Sequence, residues 1–325
     1  MNIAYFGSPD ISATLLGKLV KISPGNIRIP CVFTQPDKPA GKNLTKTKTP
    51  VAQLASKLGL ALYDLDVKLY PTKVVDIIKK HDIELCISYS YGLVIPLEVL
   101  RAPRFGFWNI HFSLLPEYRG PAPVAYALIL GDNATGTTIS RITDKLDSGE
   151  IISQKKIIID DHENRIELTN RLALISEELM ITLLSRLIKG EDIPMTVQDE
   201  KSATYTKFLK KDHGHLSISF IQFALKGDDL SYQKVPFLIK EFYEKYKDTN
   251  ILPDKFSSAK ILYQYYRGLS PWPGIWTVVK TNKGDKRLKI LKMKLIDNKL
   301  VLMKVQLEGK NPVLFEVFNK SYNIF

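Results

Sequence analysis

A chain of 325 residues exceeds what one ordinary core organises, so two domains are the default reading. Hydrophobic residues make up 45%, which excludes a disordered chain, and no apolar run reaches the ~18 to 20 residues that span a bilayer. The net charge of +12 is unevenly spread: residues 1–200 hold 23 Lys/Arg against 23 Asp/Glu, whereas residues 201–325 hold 23 against 11.

The N-terminus, MNIAYFGSPD, enters a strand-like pattern at once, with no basic start or small-residue cleavage site of a leader. Strands are predicted at Met1–Phe6, Ile29–Thr34, Leu85–Ser88, Gly106–His111 and Gly136–Ile142. Helical patterns fall at Ile11–Lys21, Val51–Leu58, Thr72–His81, Pro123–Leu130 and Arg165–Leu187. This alternation predicts an α/β domain over 1–189, with a parallel sheet covered by helices and ligands at the carboxyl ends of its strands. Gly7-Ser-Pro-Asp10 opens the first helix but lacks the later glycines of a dinucleotide fingerprint. Cys31 and Cys86 sit in apolar runs and read as reduced core thiols, so the protein is expected to be cytoplasmic and free of metal.

Residues 190–216 read as a polar linker, and 217–325 as a basic second domain. An amphipathic helix is predicted over Val235–Lys247, followed by short strands such as Leu288–Leu295 and Lys299–Val305, which suit a small β-barrel. Confining the whole charge excess to this third points to a polyanion partner, nucleic acid.

The chemistry concentrates in FWNIHFSLLPEYRG, Phe107–Gly120. At the end of a strand, Asn109 and His111 are two apart and project from one face. Pro116 then ends regular pairing. Further on, DKLDSGEII sets Asp147 in a Ser-Gly turn. This trio suits transfer of a formyl group to an amine. Asn109 donates to the developing oxyanion, and His111 adds a second donor. Asp147 holds the ring and favours its charged form. The amine proton leaves to Asp147 or His111, directly or through water. No Ser or Cys nucleophile is needed.

NIHFSLLPEYRGPAP resembles the signature of the formyltransferase family that uses 10-formyltetrahydrofolate. TQPDKPAG at Thr34–Gly41, SYGLVIP at Ser90–Pro96, RGPAP at Arg119–Pro123, TGTTI at Thr135–Ile139, LDSGEI at Leu146–Ile151 and PWPG at Pro271–Gly274 are similar to its methionyl-tRNA branch. The resemblance implies a Rossmann-like N-terminal domain and a smaller OB-like C-terminal barrel, acting on initiator methionyl-tRNA and folate, with no membrane and no obligatory protein partner. It implies Asn109, His111 and Asp147 as the catalytic trio. Ser113, Leu114, Leu115 and Pro116 would line the folate site, with Tyr91, Gly92 and Leu93 beside the pterin. Gln35–Pro50 reads from its residues as an aperiodic basic loop carrying Lys38, Lys42, Lys46 and Lys48. The resemblance makes it an insertion contacting the acceptor end of tRNA, a track that Lys207, Lys210 and Lys211 of the linker would extend. Ile11 stands where many members carry Phe, near the methionyl side chain. Gly214–Ser257 is longer than is usual in the family and the barrel is shorter, so the helix at 235–247 is placed to cover the gap.

Other acceptors leave the trio unchanged. Glycinamide ribonucleotide would need neither basic loop nor C-terminal barrel, and water would make the enzyme a hydrolase. A non-catalytic tRNA-binding protein explains the charge but leaves Asn109, His111 and Asp147 without a task.

Overall fold

The apolar runs of the first half become strands of one sheet: β1 (Asn2–Gly7), then α1 (Asp10–Ile22), β2 (Arg28–Thr34), a hairpin of β3 (Lys38–Ala40) and β4 (Thr45–Thr47), α2 (Pro50–Lys57) and β5 (Ala61–Asp64). There follow α3 (Pro71–Lys80), β6 (Leu85–Tyr89), α4 (Leu97–Leu100), β7 (Phe107–His111), α5 (Pro123–Leu130), β8 (Ala134–Arg141), β9 (Ile151–Ile158) and α6 (Arg165–Ile188). The structure, a computed structural model, describes residues 1–22, 26–40, 45–247, 256–282 and 284–325. These divide into two compact units, Met1–Arg119 with Gly136–Lys156 and Asn170–Ala203, and Gly120–Thr135 with Ile157–Thr169 and Thr204–Phe325.

In the first unit the sheet order is β5-β2-β1-β6-β7-β8-β9. Pairings from β5 through β7 are parallel, and β8 runs antiparallel to β7. The strand order reverses between β1 and β6, the switch point at which open α/β sheets bind ligands. Alternation along the strands feeds two cores. Ile3 and Tyr5 of β1 join Trp108 and Ile110 of β7 under Leu15, Leu16 and Leu19 of α1 and Leu183 and Leu184 of α6. Ala4, Phe6 and Phe107 face the other way, onto Val74, Ile77 and Ile78 of α3. Each large side chain buried this way contributes about 1.5–3 kcal/mol. The fold is the Rossmann-like α/β sheet expected. Cys31 and Cys86 are buried and free, and both pair in register with Ala4 from opposite sides. A strand between them keeps the sulfurs too far apart to bond, and burial pushes the Cys31 thiol up to about 12.

The segment read as aperiodic, Gln35–Pro50, contains the β3–β4 hairpin, with Lys38 opposite Thr47 and Pro39 opposite Lys46. Pairs this short carry no legible period. Thr49 then caps α2 by accepting from Ala52 N at 3.0 Å, and Pro50 stands in its first turn. Lys42 lies outside the described residues.

The second unit contains α5, which is buried along nearly its whole length and packs on α9 (below). Its later elements are α7 (Ile218–Lys226), β10 (Asp229–Leu230), α8 (Phe237–Tyr246), β11 (Phe256–Ser257), α9 (Ser258–Leu269), β12 (Ile275–Thr281), β13 (Gly284–Ile296), β14 (Lys299–Leu307), β15 (Val313–Leu314) and α10 (Phe315–Tyr322). Strands β12 to β15 form a four-stranded antiparallel meander in the region where the sequence predicts a small OB-like barrel. Its core of Val279, Leu288, Val305 and Leu307 is flanked by Ile218 of α7 and Phe318 of α10. The predicted amphipathic helix exists as α8, but its Phe242 ring meets Tyr126 of α5 at 5.9 Å. It therefore covers α5, and α7 and α10 flank the meander. Among the described residues no helix is long and apolar enough to cross a membrane.

Candidate active site

Strand β7 ends at His111, and its alternation sets Phe107, Asn109 and His111 on the face opposite Trp108 and Ile110. Asn109 is half-buried, pairs in register with Ser88 and Ser140, and its side chain has no hydrogen-bond partner among the described residues. His111 is 6% exposed. Its Nε2 lies 2.9 Å from the Tyr118 carbonyl, and its Nδ1 lies 3.7 Å from Asp147 Oδ2. A carbonyl only accepts, so Nε2 carries a proton and Nδ1 is the edge that gains or loses one beside the carboxylate. Asp147 sits between β8 and β9 in left-handed backbone, φ 49°. Gly149 closes its turn against Arg141, whose carbonyl would stand 2.0 Å from an added Cβ.

The SLLP loop is fastened by Thr138. Its hydroxyl donates to Ser113 O at 2.6 Å and accepts from Leu115 N at 3.2 Å and Gln154 Nε2 at 2.9 Å, using all of its capacity. Gln154 also donates to Leu115 O at 2.8 Å. Ser113 is fully buried, and its hydroxyl donates to Glu117 O at 2.6 Å. Leu114 and Pro116 are partly exposed, Leu115 is buried, and the Leu115–Pro116 peptide is cis.

At the switch point, Gln35 Nε2 donates to Tyr91 O at 2.7 Å and Ser8 Oγ donates to the same carbonyl at 3.3 Å. The Tyr91 ring lies in the core, edge-on to Phe6 at 5.4 Å, with its hydroxyl donating to Leu65 O at 3.2 Å. It anchors the loop, which leaves Gly92 exposed and Leu93 half-buried at the strand ends. Ile11 is half-buried against the core under α1.

Sequence reasoning missed a third group. Arg119 is completely buried, donating from Nε and one terminal nitrogen to Gln198 Oε1 at 3.1 and 2.8 Å. Both terminal nitrogens reach Glu200, at 3.0 and 2.8 Å. These hydrogen bonds hold the exposed Glu200 carboxylate below its usual range. Gln198 and Glu200 lie in a polar stretch whose sequence gives no sign of this contact.

Of the lysines, Lys48, Lys207, Lys210 and Lys211 are exposed, and Lys207 pairs with Glu241 at 2.5 Å. The backbone of Lys38 and Lys46 lies in the hairpin.

An amide thus stands on the same strand face as an imidazole–carboxylate pair at the end of β7 of an α/β sheet, and the chain belongs to the formyl transferase family, whose model matches residues 1–184. The methionyl-tRNA formyltransferase of Caldicellulosiruptor saccharolyticus is 32% identical to it over 300 residues, covering 92% of this chain and 82% of that one. In fold, the chain is similar to a 4-N formyltransferase from Francisella tularensis, with a TM-score of 0.59 and 14% identity over 95% of this chain and 98% of that one. It is also similar to HypX from Aquifex aeolicus, solved in complex with tetrahydrofolic acid, with a TM-score of 0.55 and 12% identity over 98% of this chain and 46% of that one.

Proposed function

We propose that this enzyme moves the formyl group of 10-formyltetrahydrofolate to the amino group of methionine carried by initiator tRNA, in the cytoplasm. The observation that carries this reading is the pair formed by buried His111 and partly exposed Asp147 at 3.7 Å, on the strand face that carries the Asn109 amide, which has no hydrogen-bond partner among the described residues. The methionyl nitrogen attacks the formyl carbon and a C–N bond forms. Charge builds on the formyl oxygen, where the Asn109 amide donates and the protonated His111 ring adds positive charge. Asp147, whose Oδ2 lies 3.7 Å from His111 Nδ1, takes the amine proton directly or through one water. The bond to the folate nitrogen then breaks, that nitrogen takes the proton held by Asp147, directly or through the same water, and tetrahydrofolate leaves. The SLLP loop, through Leu114, Leu115 and Pro116, and the backbone of Tyr91–Leu93 are the folate contacts.

The basic residues supply the tRNA reading. Lys38, Lys42, Lys46 and Lys48 hold the acceptor end, Lys207, Lys210 and Lys211 extend the track, and residues 217–325 form the basic tRNA-binding domain. Such phosphate contacts position the substrate and read no sequence. The test is transfer of labelled formyl from 10-formyltetrahydrofolate to charged initiator tRNA, with glycinamide ribonucleotide and water as competing acceptors. Faster transfer to either competitor overturns the assignment.

A further inference from the structure

We infer that Gln198 is a positioning residue for the transfer: it holds the backbone of the Asp147 turn and so aims the carboxylate at His111. The inference rests on the catalytic reading of Asp147 given above. Gln198 is 6% exposed. Its Nε2 donates to Asp147 O at 2.9 Å and to Gly149 O at 2.6 Å, which uses both of its hydrogens. Its Oε1 accepts twice from Arg119, at 3.1 and 2.8 Å. A guanidinium only donates, so the amide cannot turn over without facing donor to donor. The orientation of Gln198 is therefore set by Arg119, and Arg119 is set in turn by its two-pronged pairing with Glu200.

Two features make this hold matter to chemistry. Asp147 is a non-glycine residue with φ 49°, a conformation that the surrounding structure must maintain. Arg119 also directly follows Tyr118, whose carbonyl fixes His111 Nε2. One network thus positions both members of the pair, Tyr118 on the imidazole edge and Gln198 on the carboxylate side. Misplacement of a reacting group by about 1 Å costs on the order of 100-fold in rate.

Gln198→Glu tests the idea because it keeps the shape and the contact with Arg119. It replaces the donor opposite the two carbonyls with an acceptor. The expected result is a kcat lower by roughly 10- to 100-fold, with KM for folate and for tRNA nearly unchanged and a melting transition that remains cooperative. In an Asp147→Asn background the same change should cost little more, since the group being aimed is already gone. Unchanged kcat, or losses that multiply in the double variant, would overturn the positioning role. Full activity in Asp147→Asn alone would instead sink the catalytic reading, so the two failures are distinguishable. Should Gln198→Glu not fold, Gln198→Asn carries the same cycle, since it keeps the amide and withdraws it by one methylene.

Discussion

His111 and Tyr118 are joined by a 2.9 Å contact from the imidazole Nε2 to the backbone carbonyl, so the edge of the ring nearer Asp147 is the one free to change protonation. That contact fixes the tautomer before any substrate arrives. Rotating the ring would break this buried hydrogen bond, at a cost of about 0.5–1.5 kcal/mol.

Removing the Asn109 amide or the His111 ring should separate chemistry from binding. Asn109→Ala and His111→Ala are each expected to lower kcat by ~100- to 1000-fold while tRNA affinity changes little. Steady-state kinetics beside a tRNA binding isotherm is the measurement. Near-normal turnover in either variant removes that residue from the mechanism.

Asp147→Asn should be nearly inactive and still folded. Asn tolerates left-handed backbone, so φ 49° survives, whereas Asp147→Ala would add strain to the removal of charge. An amide neither takes the amine proton nor stabilises a charged ring. Thermal unfolding measured with activity tells the two variants apart.

The tRNA reading predicts a salt signature. Lys289, Lys292 and Lys294 of β13 are exposed on the basic unit. Changing all three to Ala should reduce the slope of log K against log[salt] by about 0.9 for each phosphate that these lysines neutralise. Lys42→Ala with Lys46→Ala should instead lower kcat/KM for charged tRNA more than it lowers affinity. A slope equal to that of the unchanged protein would return the charge excess to a solvated surface.

Glu200 gives a pH signature in stability. Its folded-state affinity for protons is lowered by Arg119, so its contribution is present above the unfolded value for Glu, about 4.3, and is lost as pH falls through the folded one. The stability difference between the unchanged protein and Glu200→Gln should be largest near neutrality and shrink in acid. Urea unfolding at a series of pH values reads it. A difference that grows on acidification contradicts the pairing.

Gly268 of α9 lies so close to α5 that an added Cβ would stand 2.6 Å from Ile129 Cγ1 and 2.7 Å from the Ala125 carbonyl. Backbone cannot yield as a side chain does. Gly268→Ala should destabilise by about 1–3 kcal/mol, read by thermal unfolding. A neutral result would mean that the two helices separate easily.

How much of this was readable in the sequence depends on where the signal resides. The alternation of Phe107–His111 predicts both the strand and the shared face of Asn109 and His111, and α5 has the bounds that its apolar run implies. β5 escaped because a four-residue strand with exposed ends shows no alternation. α9 escaped because its buried tyrosines interrupt an obvious aliphatic stripe, although Tyr265 is 1% exposed. Gln198 was unreadable in principle. Its meaning depends on Arg119, 79 residues away in sequence, and an amide in a polar stretch looks like solvent-facing chain.

The pairing of α5 with α9 also has a consequence for biosynthesis. The helix at Pro123–Leu130 is buried on nearly every side in the finished protein, and its main cover is the helix at Ser258–Leu269. A ribosome adding roughly 5–20 residues per second needs on the order of ten seconds to reach that cover. During that interval an apolar helix waits on the nascent chain without its partner. Within the first half, this helix is the part that must wait for the second half, and the demand for chaperones should peak while that second half is still being made.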